Sequence, residues 1–343
     1  MKIAIIGAGA AGMMAAATIS EKRSDAEVFL IEKNPEAGKK VMMTGGGRCN
    51  VTTGYTDMSF ILSRYPRGGK FLNFAMRNFT PDQVRIFFES NGVPLKVEDD
   101  MRVFPVSDNS RDIVDVFDKI VTRNSNVHVI LSRPVKTVSK EVGYRLDCGG
   151  LKIEVDKLIL TTGGKADDGY SFAKSLGHHI TPLAPSLSAF IIKEDWIKKL
   201  SGVSIEKASL KIVSSKKHEF TGPFVFTHTG MSGPAVLAMS SLMAFEDISE
   251  TKPAKLLIDM VPDLPYPIFE EKFKKEVSDN PKKLFRKTVA SFMPKSLADI
   301  LCAREYLEKK NNAEVSKSGL NKMIEFIKHI PLTLIGRVPG EEF

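Results

Sequence analysis

Cysteine is scarce in this 343-residue chain: Cys49, Cys148 and Cys302 are its three, and no two stand at CxxC spacing. That excludes a disulfide framework and fits a reducing, cytoplasmic setting. No HExxH pair, cysteine-pair site or EF-hand loop is present, so no metal is expected. No GxSxG elbow marks a serine nucleophile. No apolar run approaches membrane-spanning length and the chain enters a strand at once, so neither a membrane span nor a signal peptide is expected. Lysine and arginine exceed the acids, 49 to 41, for a net charge of +8. The excess reads as solvated surface, without a long basic block interleaved with aromatics, and no nucleic-acid partner is expected. Nothing in the sequence speaks to oligomeric state.

Glycine is where the sequence becomes specific. Lys2–Ile6 is a short buried-type strand that runs into Gly7-Ala8-Gly9-Ala10-Ala11-Gly12. Gly7 permits the turn, Gly9 lets backbone approach a pyrophosphate, and Gly12 lets the next helix pack closely on the sheet. The helix N-terminus, with Ala10 and Ala11, faces the phosphates. A second strand, Glu27–Ile31, ends in Glu32 and Lys33. Glu32 stands where an acid accepts hydrogen bonds from an adenosine ribose, and its charge disfavours a 2′-phosphate. Strand, loop, helix, strand and acid in this order predict a bound dinucleotide, and the loop alone does not separate FAD from NAD.

A second cluster follows, Thr44-Gly45-Gly46-Gly47-Arg48-Cys49-Asn50, led by Lys39 and Lys40. Three successive glycines are entropically costly and mark backbone running against a flat or crowded ligand. Arg48 brings a fixed charge and Asn50 a two-sided hydrogen-bonding group.

In these residues the sequence resembles the HI0933-like family of bacterial NAD(P)/FAD-dependent oxidoreductases, the aminoacetone-oxidase type. The resemblance rests on Gly7 to Gly12, on the run from Gly38 to Asn50, and on Arg102-Val103-Phe104-Pro105-Val106-Ser107. It extends to Thr161-Thr162-Gly163-Gly164 with Gly169-Tyr170, and to Phe226-Thr227-His228-Thr229-Gly230-Met231-Ser232-Gly233-Pro234. It implies an α/β fold: an FAD/NAD(P)-binding Rossmann-type three-layer domain with an inserted β-rich domain and a helical subdomain. It also implies FAD as cofactor, with Lys40, Thr44, Gly46, Arg48, Cys49 and Asn50 at its riboflavin end. Thr162, Gly163 and Gly164 would meet it from the second half of the sheet. Family members continue into a Gly-Glu…Asp…Gly-Gly-Tyr-Asn segment that closes over the flavin. This sequence stops at Phe343 without it, so a shortened form is expected.

The expected domains are 1–186 for the dinucleotide, 187–265 for the β-rich insertion and 266–330 for the helices, with 331–343 as the cut-short return to the first domain. Within the first, helices are predicted over 82–91, after Thr80-Pro81, and over 111–124. Strands are predicted over 127–131 and 157–161, with a three-strand meander at 135–155 turning at Gly149-Gly150. In the second, strands are predicted over 189–192, 203–213, 224–227 and 255–260, and a helix over 234–244. In the third, Leu320, Met323, Ile324 and Ile327 form a helical stripe.

The expected activity is hydride transfer between a small organic substrate and flavin, with NAD(P)H as candidate donor, although no second complete GxGxxG exists to bind it. Substrate would sit between the FAD domain and the insertion. His228 is the acid–base candidate, next to a glycine turn at a helix start, or else it orders that turn. Cys49 is a candidate if Arg48 lowers its pKa, or else a packing residue. His178 and His179 follow Gly177 at a helix end and read as capping. Two rivals stay open: a non-catalytic dinucleotide-binding protein, and an NAD-dependent dehydrogenase without flavin, which the colour of the protein separates from a flavoprotein.

Overall fold

A computed structural model describes residues 1–164, 167–213 and 217–338. The chain divides into two compact units, Met1–Pro182 and a second beginning at Leu183.

The first unit is built on a parallel four-stranded sheet in the order Lys157–Leu160, Lys2–Ile6, Glu27–Ile31, Val127–Ile130. Strand side chains alternate between faces, and Lys2–Ile6 uses both. Ile3 and Ile5 pack with Ala16 and Val121 on the side of helices Ala10–Lys22 and Ser110–Arg123. Ala4 and Ile6 pack with Val138, Leu146 and Ile153 of an antiparallel meander, Thr137–Lys140, Tyr144–Asp147 and Lys152–Val155. The result is the expected three layers of helix, sheet and meander. The meander turns at Gly149-Gly150, whose N–H groups both donate to Asp147 Oδ1 at 2.9 and 3.2 Å. Helix Pro81–Ser90 opens with Thr80 and Gln83 capping each other's backbone.

Two features of this unit have no counterpart in the sequence reading. Thr52–Thr53, Arg102–Pro105 and Leu95–Val97 form a small antiparallel sheet. Residues 58–78 form two helices, Met58–Ser63 and Gly69–Asn78.

The second unit contains a closed six-stranded antiparallel barrel. Its order is Phe190–Ile192, Gly230–Ser232, Lys217–Phe226, Ser204–Val213, Ala254–Asp259, Ile330–Arg337, and the last strand pairs back with the first. Here residues 331–337, read as the start of a return to the first domain, lie in the second unit instead, and residues 339–343 of that reading fall outside the described residues. Ile330–Arg337 is a barrel strand whose Ile330, Leu332 and Leu334 point inward. It covers the free edges of Ala254–Asp259 and Phe190–Ile192, which would otherwise present unpaired backbone. The helices Tyr266–Asp279, Phe285–Val289, Lys295–Arg304 and Lys317–Lys328 share one core with the barrel. Phe269, Phe273, Leu297 and Ile327 lie in the same buried cluster as Leu210, Phe224 and Leu256. The stripe on Lys317–Lys328 buries Met323, Ile324 and Ile327 as its spacing predicts.

Cys302 lies fully inside that core, and burial pushes its thiol from an ordinary 9.0 up to about 12. A raised native pKa stabilises the fold below pH 9.0, where the thiol is neutral folded or unfolded. Between there and about 12 the unfolded thiol ionises first, so stability falls as pH rises. Urea unfolding across that range is expected to show a steeper loss in the wild type than in Cys302→Ala.

Candidate functional site

A cavity of about 920 Å³ opens in the first unit, at the ends of its parallel strands. Gly7 turns the chain out of the first strand at φ +103°, and its N–H donates to Ile31 O at 2.8 Å. A Cβ there would press on the Thr161 carbonyl, so glycine is required on steric as well as conformational grounds. Gly12 packs its helix against this turn: a Cβ would overlap the Gly7 carbonyl oxygen. Gly9 differs. It precedes helix Ala10–Lys22 with ordinary extended backbone, and a Cβ on it would meet nothing within 4 Å. That open space is part of the cavity.

No side chain caps the first turn of that helix and no acid stands in it. Its leading N–H groups, with Ala10 and Ala11 on the cavity wall, therefore offer an anion site. Lys33, Lys40 and Arg133 line the same space and add positive charge. Lys33 also pairs with Asp168 at 3.5 Å. Glu32 is buried, and its Oε1 accepts from Asn34 N at 2.9 Å and Asn34 Nδ2 at 2.6 Å. Its Oε2 accepts from Ala8 N at 2.8 Å, which leaves that oxygen a lone pair for a sugar hydroxyl. Thr161 ties the opposite strand to the turn, its hydroxyl 2.9 Å from Ile6 O and 2.8 Å from Gly7 O. Thr162 and Gly163 follow it along the wall, Gly163 beside Lys40 Nζ.

The second glycine cluster borders the same cavity through Lys40, Thr44, Cys49 and Asn50. Gly45, Gly46 and Gly47 take φ of 58°, 70° and 86°, followed by Cys49 at 62°. Such a run of left-handed residues explains the triplet: a side chain on any of the three would be strained. Gly46 and Gly164, expected at the cofactor, are not among the lining residues, nor is Arg48. The Arg48 guanidinium is held by Glu98 at 2.6 Å and Asp108 at 3.4 Å and lies 3.9 Å from the centre of the Phe104 ring. It fastens the glycine loop to the strand Arg102–Pro105 and its neighbours. Asn50 is half committed, accepting at Oδ1 from Val103 N at 3.2 Å and keeping its amide donors.

Of the two alternatives for Cys49, activation by Arg48 finds no support here, since that charge is paired with two carboxylates. Burial pushes the Cys49 thiol up, against a smaller opposing effect of the Thr44 hydrogen bond. Burial therefore favours the neutral thiol of Cys49, packed beside the cavity. Iodoacetamide is expected to label it in the native protein only above its ordinary pKa of 9.0, and to label the urea-unfolded chain at lower pH. Peptide mapping of the alkylated protein checks this.

His228 belongs to the second unit. With Thr229 it forms the exposed tip of a hairpin between Lys217–Phe226 and Gly230–Ser232, closed by Thr227 N donating to Gly230 O at 2.9 Å. The segment read as a turn before a helix is therefore strand, and helix Pro234–Leu242 starts after it. The turn is ordered by Thr227, whose Oγ1 accepts from Gly230 N at 3.1 Å.

Arg133 and Asp168 are lining residues that the sequence reading missed. Arg133 follows the strand Val127–Ile130, and its N–H donates to Glu32 O at 2.9 Å. The rule that ligands sit at the carboxyl ends of parallel strands, applied to this strand, would have found it.

Residues 1–227 match the family model of the "HI0933-like protein Rossmann domain", and 184–342 that of the "HI0933-like protein barrel and H2TH domain". A 3-dehydro-bile acid delta(4,6)-reductase of Clostridium scindens is 26% identical over 97% of this chain and 82% of its own. A ribosomal RNA dihydrouridine synthase of Escherichia coli is 27% identical over 87% of this chain and 72% of its own. Among solved structures, quinol fumarate reductase FrdA of E. coli aligns with 62% of this chain at 14% identity and TM-score 0.38. CtdE in complex with FAD aligns with 60% at 17% identity and TM-score 0.29. The chain spans only 38% and 48% of those two structures.

Proposed function

The chain belongs to the HI0933-like family, and on that premise we propose that it is an FAD-dependent oxidoreductase that transfers hydride between flavin and an organic substrate. The observation that carries the reading is the vacant Cβ position of Gly9 in front of an uncapped helix N-terminus, within a cavity that also reaches the second glycine cluster. Ala10 and Ala11 N–H groups would receive the pyrophosphate, with Lys40 beside them. Glu32 Oε2 would accept from the adenosine ribose. Thr44, Cys49 and Asn50 would border the ring system. Bound FAD would supply the hydride acceptor and donor; the protein residues position it and exclude water.

The direction we propose is reductive, with NAD(P)H as donor. Support comes from the relatives' names, a delta(4,6)-reductase and a dihydrouridine synthase, both of which describe adding hydrogen across a carbon–carbon double bond. Anaerobic mixing of the FAD-loaded protein with NADPH or NADH tests it. The flavin absorbance is expected to bleach with a reduced nicotinamide and to return on adding a carbonyl-conjugated alkene. Flavin that stays oxidised with both nicotinamides would remove the donor from the proposal.

A further inference from the structure

The order of the parallel sheet sets a sequence of groups along the cavity. Strand Lys2–Ile6 leads into the glycine turn and its neighbour Glu27–Ile31 into Glu32. The next strand out, Val127–Ile130, leads into Arg133. Adjacent strands lie about 4.8 Å apart. A dinucleotide with its pyrophosphate at the first strand end and its ribose at the second brings its base to the third. Arg133, Pro134 and Val135 line the cavity there. The segment that carries them is pinned. Ser132 takes φ 53°, strained for a residue with a side chain, and its N–H donates to Asn34 O at 2.9 Å. The Arg133 N–H donates to Glu32 O, also at 2.9 Å, which fixes the root of the arginine beside the residue whose carboxylate would meet the ribose. Of the two cations flanking Glu32, Lys33 is paired with Asp168 at 3.5 Å, whereas no ion pair holds the exposed Arg133 among the described residues. Val135 is buried in one apolar cluster with Phe172 and Cys148. Burial and the nearby Asp147 push the Cys148 thiol up and Arg133 opposes them, so the guanidinium lies on the side of that cluster. The other aromatic residues of the cavity, Phe88 and Phe117, cluster instead with Val41 and Cys49, by the second glycine run.

We infer that the Arg133 guanidinium lies flat against the adenine of the bound dinucleotide, which makes Arg133 a specificity residue for that base. The inference rests on the FAD reading of the cavity and names the side chain that reads its far end. Stacking is the chemistry, not charge pairing. Adenine is uncharged, and Glu32 disfavours a phosphate on the neighbouring ribose hydroxyls. A planar, delocalised guanidinium stacks on an aromatic face, where a compact ammonium offers no plane. The buried Val135 and the ring of Pro134 give the base an apolar wall beside that cation. Nothing in the sequence reading pointed to this residue, because its place next to Glu32 is set by strand pairing across about a hundred residues, Ile31 against Ile130.

The test is equilibrium dialysis of the full chain against FAD, ADP and FMN. Arg133→Ala is expected to weaken FAD and ADP by the same factor, about fivefold, and to leave FMN, which lacks the adenine, unchanged. Arg133→Tyr, planar without the charge, is expected to restore both. Arg133→Lys, charged without the plane, is not. The bond that holds the segment is made by the Arg133 backbone N–H, which all three variants keep, so each is expected to unfold at the wild-type apo temperature. FAD affinity unchanged in Arg133→Ala, FMN weakened as much as FAD, or full rescue by Arg133→Lys would each overturn the inference, the last by showing that charge alone is used. A wild type that binds ADP with this dependence on Arg133 but holds no FAD would leave the base contact standing and overturn the flavin reading. One that holds FAD equally well with and without the guanidinium would do the reverse.

Discussion

Gly9→Val is expected to leave the fold intact and to abolish retention of FAD, whereas Gly12→Val is expected to damage the fold itself. The two glycines lie three residues apart in one motif, yet their surroundings are opposite. Gly9 has ordinary backbone angles and empty space where a side chain would go, so the apo protein has nothing to clash with. The isopropyl group would stand in the pyrophosphate position, and a clash of ~3 kcal/mol corresponds to about 100-fold in affinity. At Gly12 the same group would overlap the Gly7 carbonyl and crowd the Thr161 hydroxyl, forcing helix Ala10–Lys22 off the sheet. Thermal unfolding with and without FAD separates them. Gly9→Val should unfold at the wild-type apo temperature and gain nothing from FAD, and Gly12→Val should unfold earlier even without it.

The second large effect lies in the barrel unit. Lys328 is a buried ammonium at the end of helix Lys317–Lys328, 2.6 Å from Asp259 Oδ2. It also donates to Val261 O at 3.1 Å and Leu264 O at 2.7 Å. All three of its protons are thereby satisfied, and the end of strand Ala254–Asp259 and the chain after it are tied to the last helix. Lys328→Met keeps the stem's volume but strands a carboxylate and two carbonyls. The expected loss is ~3–5 kcal/mol, about 10 °C in Tm. Adding Asp259→Asn should recover part of it by removing the orphaned charge. A Lys328→Met protein as stable as the wild type would show that the pair contributes nothing net.

The parts legible in the sequence share one property: their determinants are local. Gly7, Gly9, Gly12 and Glu32 all fall within one strand–helix–strand unit, where the role expected of each follows from its neighbours. The alternating core of Lys2–Ile6 and the stripe on Lys317–Lys328 are likewise read from spacing alone. What escaped depends on distant partners. Strand Ile330–Arg337 has a local alternation at Ile330, Leu332 and Leu334, but its edges at Ala254–Asp259 and Phe190–Ile192, and so the unit it joins, depend on distant partners. Arg48 looked like a cofactor ligand because its competitors, Glu98 and Asp108, lie 50 and 60 residues away. Helix Gly69–Asn78 buries no face, so its sequence carries no core-facing pattern to announce it.

The function proposed for the first unit depends on its cavity being a flavin site. The most direct measurement is the visible absorption spectrum of the purified 343-residue chain, and of its Gly9→Val variant, after incubation with FAD and desalting. A bound-flavin spectrum is expected in the wild type and none in the variant. A wild type that elutes colourless, or a variant that holds flavin equally well, would contradict it.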